Sequence, residues 1–133
     1  MKRPLTYYPP VMLLLIVAGW PARLFQQSLP YWYTQYAGDF LWAMLIYLFF
    51  AVLFRWRIRW IVTTAMVTTY TIEITQLFHP PWLDALRSCK FCALILGYGF
   101  LWSDLIAYAL GIALGAWVDY VMIRMGNTSE PTA

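Results

Sequence analysis

The sequence has little charge and few of the side chains that metal sites and catalytic centres use. Only 11% of its 133 residues are charged, whereas soluble domains carry roughly 25%. A zinc site on its two cysteines would need two further ligands, and the chain offers a single histidine, His79. Catalytic triads, phosphate-binding loops, Rossmann glycines and nucleic-acid-binding motifs are absent. We therefore expect no metal, no cofactor and no nucleic-acid partner.

Apolar and aromatic residues are abundant. Hydrophobic residues make up 62% of the chain and aromatic residues 20%, with eight Trp and ten Tyr. This composition predicts a membrane protein whose aromatic side chains form belts at the two interfaces. The net charge of +3 does not indicate nucleic-acid binding, because the basic residues flank apolar runs instead of forming a stripe.

Apolar runs predict four transmembrane helices in a single domain of residues 1–125, which suits a chain of this length. The predicted spans are 10–25, 39–54, 60–78 and 103–122. No small-x-small cleavage site cleanly follows the first run, so we interpret it as a retained span and not as a signal peptide. The link after span three contains a Pro-Pro break and an apolar piece too short to span. The predicted fold is an all-α integral membrane protein, a four-transmembrane-helix bundle with an interfacial or re-entrant segment between spans three and four, and a disordered tail at 126–133.

Glu73 lies within the apolar, threonine-rich third span. A carboxylate inside a membrane segment is costly, so it indicates a functional site with a partner to be found. Gln76 shares its helix face one turn later, and Arg87 follows the Pro-Pro break as the predicted partner. The alternative is a buried glutamate that arginine and threonine satisfy to hold helices together, and we weigh the two equally.

The distribution of basic residues predicts the orientation. Six of them fall on one side of the predicted bundle and three on the other, which places both termini in the cytoplasm by the positive-inside rule. Ionisable groups from every span then lie on the outer side, where we predict a charged ligand-binding pocket. Its members, together with the amide that shares the face of Glu73, are Arg23, Asp39, Glu73, Gln76, Arg87 and Asp104.

Two of these acids have a simpler interpretation as helix caps. Residues 26–38 read as an interfacial loop or a short amphipathic segment, so that Asp39 would open span two where the helix dipole favours an anion. Asp104 opens span four in the same way. Capping does not explain Glu73, nor two arginines on the side where arginine is depleted.

A glycine pair in span four predicts close helix packing. Gly111 and Gly115 form a G-x-x-x-G pattern, which lets another helix approach closely. The same face carries Asp104, which should therefore point into the bundle. A second copy of the chain could also pack on this face.

Cys89 and Cys92 are spaced as C-x-x-C. A redox pair would need a lowered thiolate pKa, usually at the start of a helix. We interpret the pair as structural, either as free thiols or as an incidental disulfide.

Several stretches resemble a bacterial membrane family. They are A-G-W-P-A-R at 18–23, Y-A-G-D-F-L-W-A at 36–43, E-I-T-Q-L from 73, P-W-L-D-A-L-R from 81 and L-G-Y-G-F-L-W-S-D-L-I-A-Y-A-L-G at 96–111. They look like an uncharacterised four-span family of unknown function, whose automated label mentions ribosome maturation (YjgA-like). More distantly, Glu73, Gln76, Arg87 and Asp104 are similar to a pattern of VanZ-like proteins, which are associated with resistance to the glycopeptide teicoplanin. The resemblance implies a four-span inner-membrane protein and no established reaction.

The predicted function is to bind or modulate an envelope ligand at the outer face of the bacterial inner membrane. Arg23 and Arg87 would hold the phosphate or carboxylate of a membrane lipid, a lipid-linked precursor or a glycopeptide-related ligand. One alternative is an intramembrane enzyme in which Glu73 and Asp104 are the catalytic candidates and divide acid and base roles. Others are a small proton-coupled transporter and a purely structural subunit.

Overall fold

The computed structural model describes residues 2–25, 27–96 and 101–128, and within these ranges the chain is helical and contains no strand. The side chains of Arg23 and of residues 94–96 lie outside this description. A 3-10 turn, Leu5–Tyr7, and a π turn, Tyr33–Ala37, precede the first two long helices. The α-helices are α1 Tyr8–Leu24, α2 Gly38–Phe54, α3 Ile58–Thr75, α4 Pro81–Arg87, α5 Lys90–Leu96 and α6 Trp102–Thr128.

Among the described residues, three helical segments are long and apolar enough to cross a membrane, which indicates a membrane protein. They are Leu5–Ala22, Tyr33–Phe54 and Trp102–Thr128. Helix α3 has 18 residues but is not among them, because its threonines and Glu73 lower its mean hydropathy. Its threonines reduce their own polarity by bonding back to the helix: Thr69 Oγ1 donates to the Ala65 carbonyl at 2.9 Å.

The chain before α2 differs from the predicted interfacial loop. Residues 31–37 are helical and run directly into α2, so Asp39 lies inside a continuous helix. Ala37 stands at the N-cap position of α2 with helical φ and ψ angles, and no side chain caps this end. The capping interpretation of Asp39 is therefore wrong, because the backbone N–H groups around it already have helical partners.

Helix α2 forms the centre of the bundle and packs against α1, α3 and α6. The two glycines of α6 face α2 directly. A Cβ at position 111 would lie 2.3 Å from the Phe40 carbonyl oxygen, and a Cβ at position 115 would lie 3.0 Å from the Tyr47 ring. Helix α2 therefore occupies this face within one chain, which corrects the expectation that a second copy packs on Gly111 and Gly115.

The link between α3 and α6 contains two short helices. Pro81 begins α4, where a proline N–H is not needed, and α4 and α5 have seven residues each, too few to span a membrane. Residues 97–100, part of the predicted re-entrant piece, lie outside the described residues. At the other end, α6 continues through Thr128 into the stretch for which we predicted disorder, and residues 129–133 of that tail lie outside the described residues.

Candidate functional site

Glu73 lies in the last turn of α3 with none of its surface exposed. Its Oε2 atom accepts hydrogen bonds from the Tyr108 hydroxyl at 2.9 Å and from Gln76 Nε2 at 3.2 Å. Its Oε1 atom accepts a third from the Leu101 amide at 3.3 Å. A buried carboxylate requires such donors, and here they come from α3, from the start of α6 and from the residue before α6.

Asp104 lies in the first turn of α6 and is 4% exposed. Its Oδ1 atom accepts a hydrogen bond from Gln35 Nε2 at 2.9 Å, and its carboxyl group is within side-chain hydrogen-bonding reach of Glu73. Glu73 and Asp104 therefore form a close pair of carboxyl groups where the end of α3 meets the start of α6.

Asp39 approaches this pair from α2. Its carboxylate is near enough to the Tyr108 hydroxyl to interact with it electrostatically. We refer to Gln35, Asp39, Glu73, Gln76, Asp104 and Tyr108 as the acid cluster. No group of three or more metal-ligating side chains suited to an ion occurs within the ranges that the structure describes.

Arg87 occupies a position different from the one predicted. Its side chain is buried, and it donates to the Thr75 carbonyl at 2.7 Å and to the Phe78 carbonyl at 2.9 Å. The same guanidinium donates to Asp84 Oδ1 at 3.0 Å. The last carbonyls of a helix have no intrahelical donor, and these bonds satisfy them at the end of α3. Arg87 therefore joins α4 to α3 and is directed at these carbonyls and not, as we expected, at a ligand.

Asp84 is the exposed partner of Arg87. Its side chain is 46% exposed, and its Oδ1 atom also lies 3.3 Å from His79 Nδ1. The slight burial of the carboxyl opposes ionisation, but hydrogen bonds from Arg87 and His79 outweigh it and lower the pKa of Asp84 below its ordinary value. Because the Asp84 carboxylate is nearly half exposed to solvent, we expect the energetic contribution of its ion pair with Arg87 to be small.

Arg23 lies near the end of α1, and its side chain is outside the described part of the chain. Its sequence neighbours Trp20 and Leu24 line an apolar groove of about 230 Å³. Five residues of α1, four of α2 and Phe91 of α5 form the walls. One of the α2 residues is Gly38, which directly precedes Asp39 in the sequence.

A second polar cluster, which the sequence did not reveal, lies towards the other end of the bundle. Asp119 of α6 is completely buried and accepts hydrogen bonds from Arg3 Nε and NH2, both at 2.9 Å. The Tyr47 hydroxyl donates to its Oδ2 atom at 2.9 Å, and the Tyr8 hydroxyl donates to Oδ1. Arg3 also donates to the Trp56 carbonyl at 2.7 Å. We call Arg3, Tyr8, Tyr47 and Asp119 the Asp119 cluster.

The sequence indicates the role of Tyr108 but not the pairing of Arg3 with Asp119. Tyr108 follows Asp104 by four positions, so helical spacing already places its hydroxyl on the polar face of α6. Arg3 and Asp119 are 116 residues apart, and each alone is typical of a residue at a membrane interface. Only the folded bundle brings them together.

The comparison with known families identifies a family but no activity. A family described as proteins of unknown function (DUF2809) matches residues 28–112, a stretch that contains the whole acid cluster. No solved structure matches the chain. The family description contains neither the ribosome-maturation label nor a relation to VanZ-like proteins. Because the match covers more than half of the sequence, the chain belongs to this family of proteins of unknown function (DUF2809).

Proposed function

We propose that the protein binds or modulates an envelope lipid, or a lipid-linked ligand, at the outer face of the bacterial inner membrane. In this proposal both termini are cytoplasmic and the acid cluster lies on the outer side. The excess of basic residues on the other side of the bundle supports this orientation. The distant similarity to VanZ-like proteins is compatible with an envelope ligand, such as a glycopeptide-related one.

The proposal includes α3 as a fourth span. At about 1.5 Å per residue, its 18 residues extend for roughly 27 Å, close to the hydrocarbon thickness of a typical bilayer. The helix packs against both α2 and α6 and follows a tight link that contains Arg55 and Arg57. Its threonine hydroxyls bond to helix carbonyls, which makes an apolar environment less costly for them.

The apolar groove formed by α1, α2 and α5 is the observation that carries the proposal. A membrane lipid combines hydrocarbon with a polar headgroup, and the groove offers apolar walls that include Gly38, the residue before Asp39 in the sequence. Because α1 and α2 are apolar segments of membrane-spanning length, the material available to this groove is hydrocarbon. We therefore assign the groove to an acyl or isoprenoid chain of the ligand.

The proposed headgroup chemistry rests on the acid cluster and on Arg23. Asp39 is partly exposed and suits an ammonium group or sugar hydroxyls, whereas Glu73 and Asp104 are buried and support the site through hydrogen bonds within the protein. Arg23 is the residue proposed to hold a phosphate or carboxylate. Arg87 no longer has this role in our proposal, because its guanidinium is buried against the end of α3.

Lipid co-purification tests the proposal. The protein is purified in mild detergent and bound lipids are identified by native mass spectrometry. Gly19 lines the groove, where a Cβ would stand 3.7 Å from the Leu41 side chain, so Gly19→Leu should fill the groove and displace the ligand. Val17→Leu, on the exposed face of the same helix, is the matched control. If Gly19→Leu retains the same lipid in the same amount as Val17→Leu, the groove is not the binding site.

The carboxyl pair supports a second candidate, in which the site carries out acid–base chemistry or couples a proton to transport. Glu73 and Asp104 lie close together, and such functions require a carboxyl group that takes up and releases a proton. Glu73→Gln preserves the shape of the side chain but cannot release the proton. Proton-driven flux into proteoliposomes that depends on Glu73 would favour this candidate over simple binding, and flux that Glu73→Gln leaves unchanged would eliminate it.

A further inference from the structure

Cys89 and Cys92 lie where the link after α4 turns into α5. The Cys89 carbonyl accepts a hydrogen bond from the Ala93 amide at 2.9 Å, so residues 89–93 form one helical turn. Residues three apart on such a turn lie on the same face, with their Cβ atoms about 5–6 Å apart. Both thiols are free; Cys89 is exposed and Cys92 is partly buried. The two sulfur atoms are therefore neighbours that need only a small adjustment to form a disulfide.

The two thiols have different surroundings. Backbone and side-chain hydrogen bonds from Cys92, and a backbone hydrogen bond from Phe91, stabilise the thiolate of Cys89 and lower its pKa. The hydrogen bond with Cys89 favours the neutral thiol of Cys92, whose pKa is raised. Cys89 is thus suited to be the attacking thiolate, and Cys92 to be the resolving thiol.

We propose that Cys89 and Cys92 are a redox-active dithiol that reduces an accessible disulfide in a partner, a function separate from ligand binding in the groove. The Cys89 thiolate attacks one sulfur of the partner disulfide, forms a mixed disulfide and releases the first partner thiolate. Cys92 then loses its proton and attacks the Cys89 sulfur, which forms the Cys89–Cys92 disulfide and releases the second partner thiolate. In total the pair loses two electrons and the proton of Cys92, and the partner disulfide gains the two electrons and becomes two thiolates, which take up that proton and one from water.

Position supports the roles of the two residues. An exposed nucleophile can reach a disulfide on another molecule, whereas a partly buried resolving thiol is protected from competing reagents. In the segment before the cysteines, Asp84 and His79 are in hydrogen-bonding contact with each other and with Arg87, so these ionisable side chains already have partners.

Thiol trapping in the full-length protein tests this proposal, with glutathione disulfide as the probe. In the wild-type protein we expect an internal Cys89–Cys92 disulfide and little bound glutathione. In Cys92→Ser the mixed disulfide at Cys89 cannot be resolved, so one glutathione per chain should accumulate. In Cys89→Ser little should accumulate, because the remaining thiol is the weaker nucleophile. Intact-mass measurement distinguishes all these products.

Alkylation kinetics provide the second readout. At pH 7 iodoacetamide should modify Cys89 in the Cys92→Ser variant about tenfold faster than Cys92 in the Cys89→Ser variant, because reactivity follows the thiolate fraction. The alkylation rate of Cys89 should also remain high at a lower pH than the alkylation rate of Cys92. Equal rates with the same pH profile would overturn the assignment, as would a wild-type protein that accumulates glutathione to the same extent as Cys92→Ser. Neither result depends on lipid binding, so failure of the dithiol proposal and failure of the groove proposal can be told apart.

Discussion

Replacing Asp119 with alanine should destabilise the bundle more than any other single change in the Asp119 cluster. The carboxylate accepts four hydrogen bonds, two from Arg3 and one each from Tyr8 and Tyr47. The side chains of Arg3 and Asp119 are both fully buried. Asp119→Ala would leave the Arg3 guanidinium buried without its counter-charge. Breaking a buried ion pair by removing one partner costs about 3–5 kcal/mol, which is the loss that we expect in the free energy of unfolding.

Two further variants separate this electrostatic effect from a general loss of packing. Tyr47→Phe removes a single hydrogen bond and keeps the ring, so it should cost about 1 kcal/mol. The double variant Arg3→Ala with Asp119→Ala removes both charges, and should be less destabilised than the sum of the single changes by about 1–3 kcal/mol. Denaturant unfolding in detergent micelles, followed by tryptophan fluorescence, measures the wild-type protein, the three single variants including Arg3→Ala, and the double variant. The reasoning fails if Asp119→Ala is no more destabilising than Tyr47→Phe, or if the two single effects simply add.

Two further predictions concern the packing around the acid cluster. Gly111→Ala should lower the free energy of unfolding by about 1–3 kcal/mol, measured by thermal or denaturant unfolding, because its Cβ would lie 2.3 Å from the Phe40 carbonyl oxygen and force α2 and α6 apart. Gly19→Ala is the control, because a Cβ there would lie 3.7 Å from the Leu41 side chain. Equal stability of the two variants would contradict the close contact. Arg87→Ala removes the bonds to the Thr75 and Phe78 carbonyls, each worth about 1.5–3 kcal/mol as hydrogen bonds from a charged group. Limited proteolysis should then cleave the α3–α4 link faster than in the wild-type protein, and an unchanged rate would show that Arg87 does not hold this end of α3.

The sequence was most informative where a single physical rule dominates. Apolar length indicates the membrane helices, and the cost of an acid in such a helix is enough to single out Glu73 from the sequence alone. The alternation of spans predicts that Glu73 and Asp104 lie at the same end of the bundle, and the structure brings these two carboxyl groups together. Their roles in binding or catalysis stay predictions, which the co-purification and flux experiments test.

The contacts of Arg87 were not predictable in the same way. A positive charge near an acid in the sequence invites a pairing with Glu73, but the Pro-Pro break starts α4 at an angle set by tertiary packing. That geometry directs the guanidinium to the carbonyls at the end of α3. The continuation of residues 31–37 into α2 was not predicted for a related reason: the polar and aromatic composition of that segment is typical of an interfacial loop or a short amphipathic segment, and packing decides how it joins α2.

Helix α6 is fixed at both ends and along the length between them. At one end, Asp104 and Tyr108 belong to the acid cluster. At the other end, Asp119 binds Arg3. Between them, Gly111 and Gly115 pack closely against α2. Sliding of α6 along α2 would have to break contacts in all three places at once. If the groove binds the proposed ligand, entry should then depend on movement of α1 or of α4 and α5, and not on displacement of α6. Cross-links that hold α1 or α4 and α5 should block access, while cross-links between α2 and α6 should not.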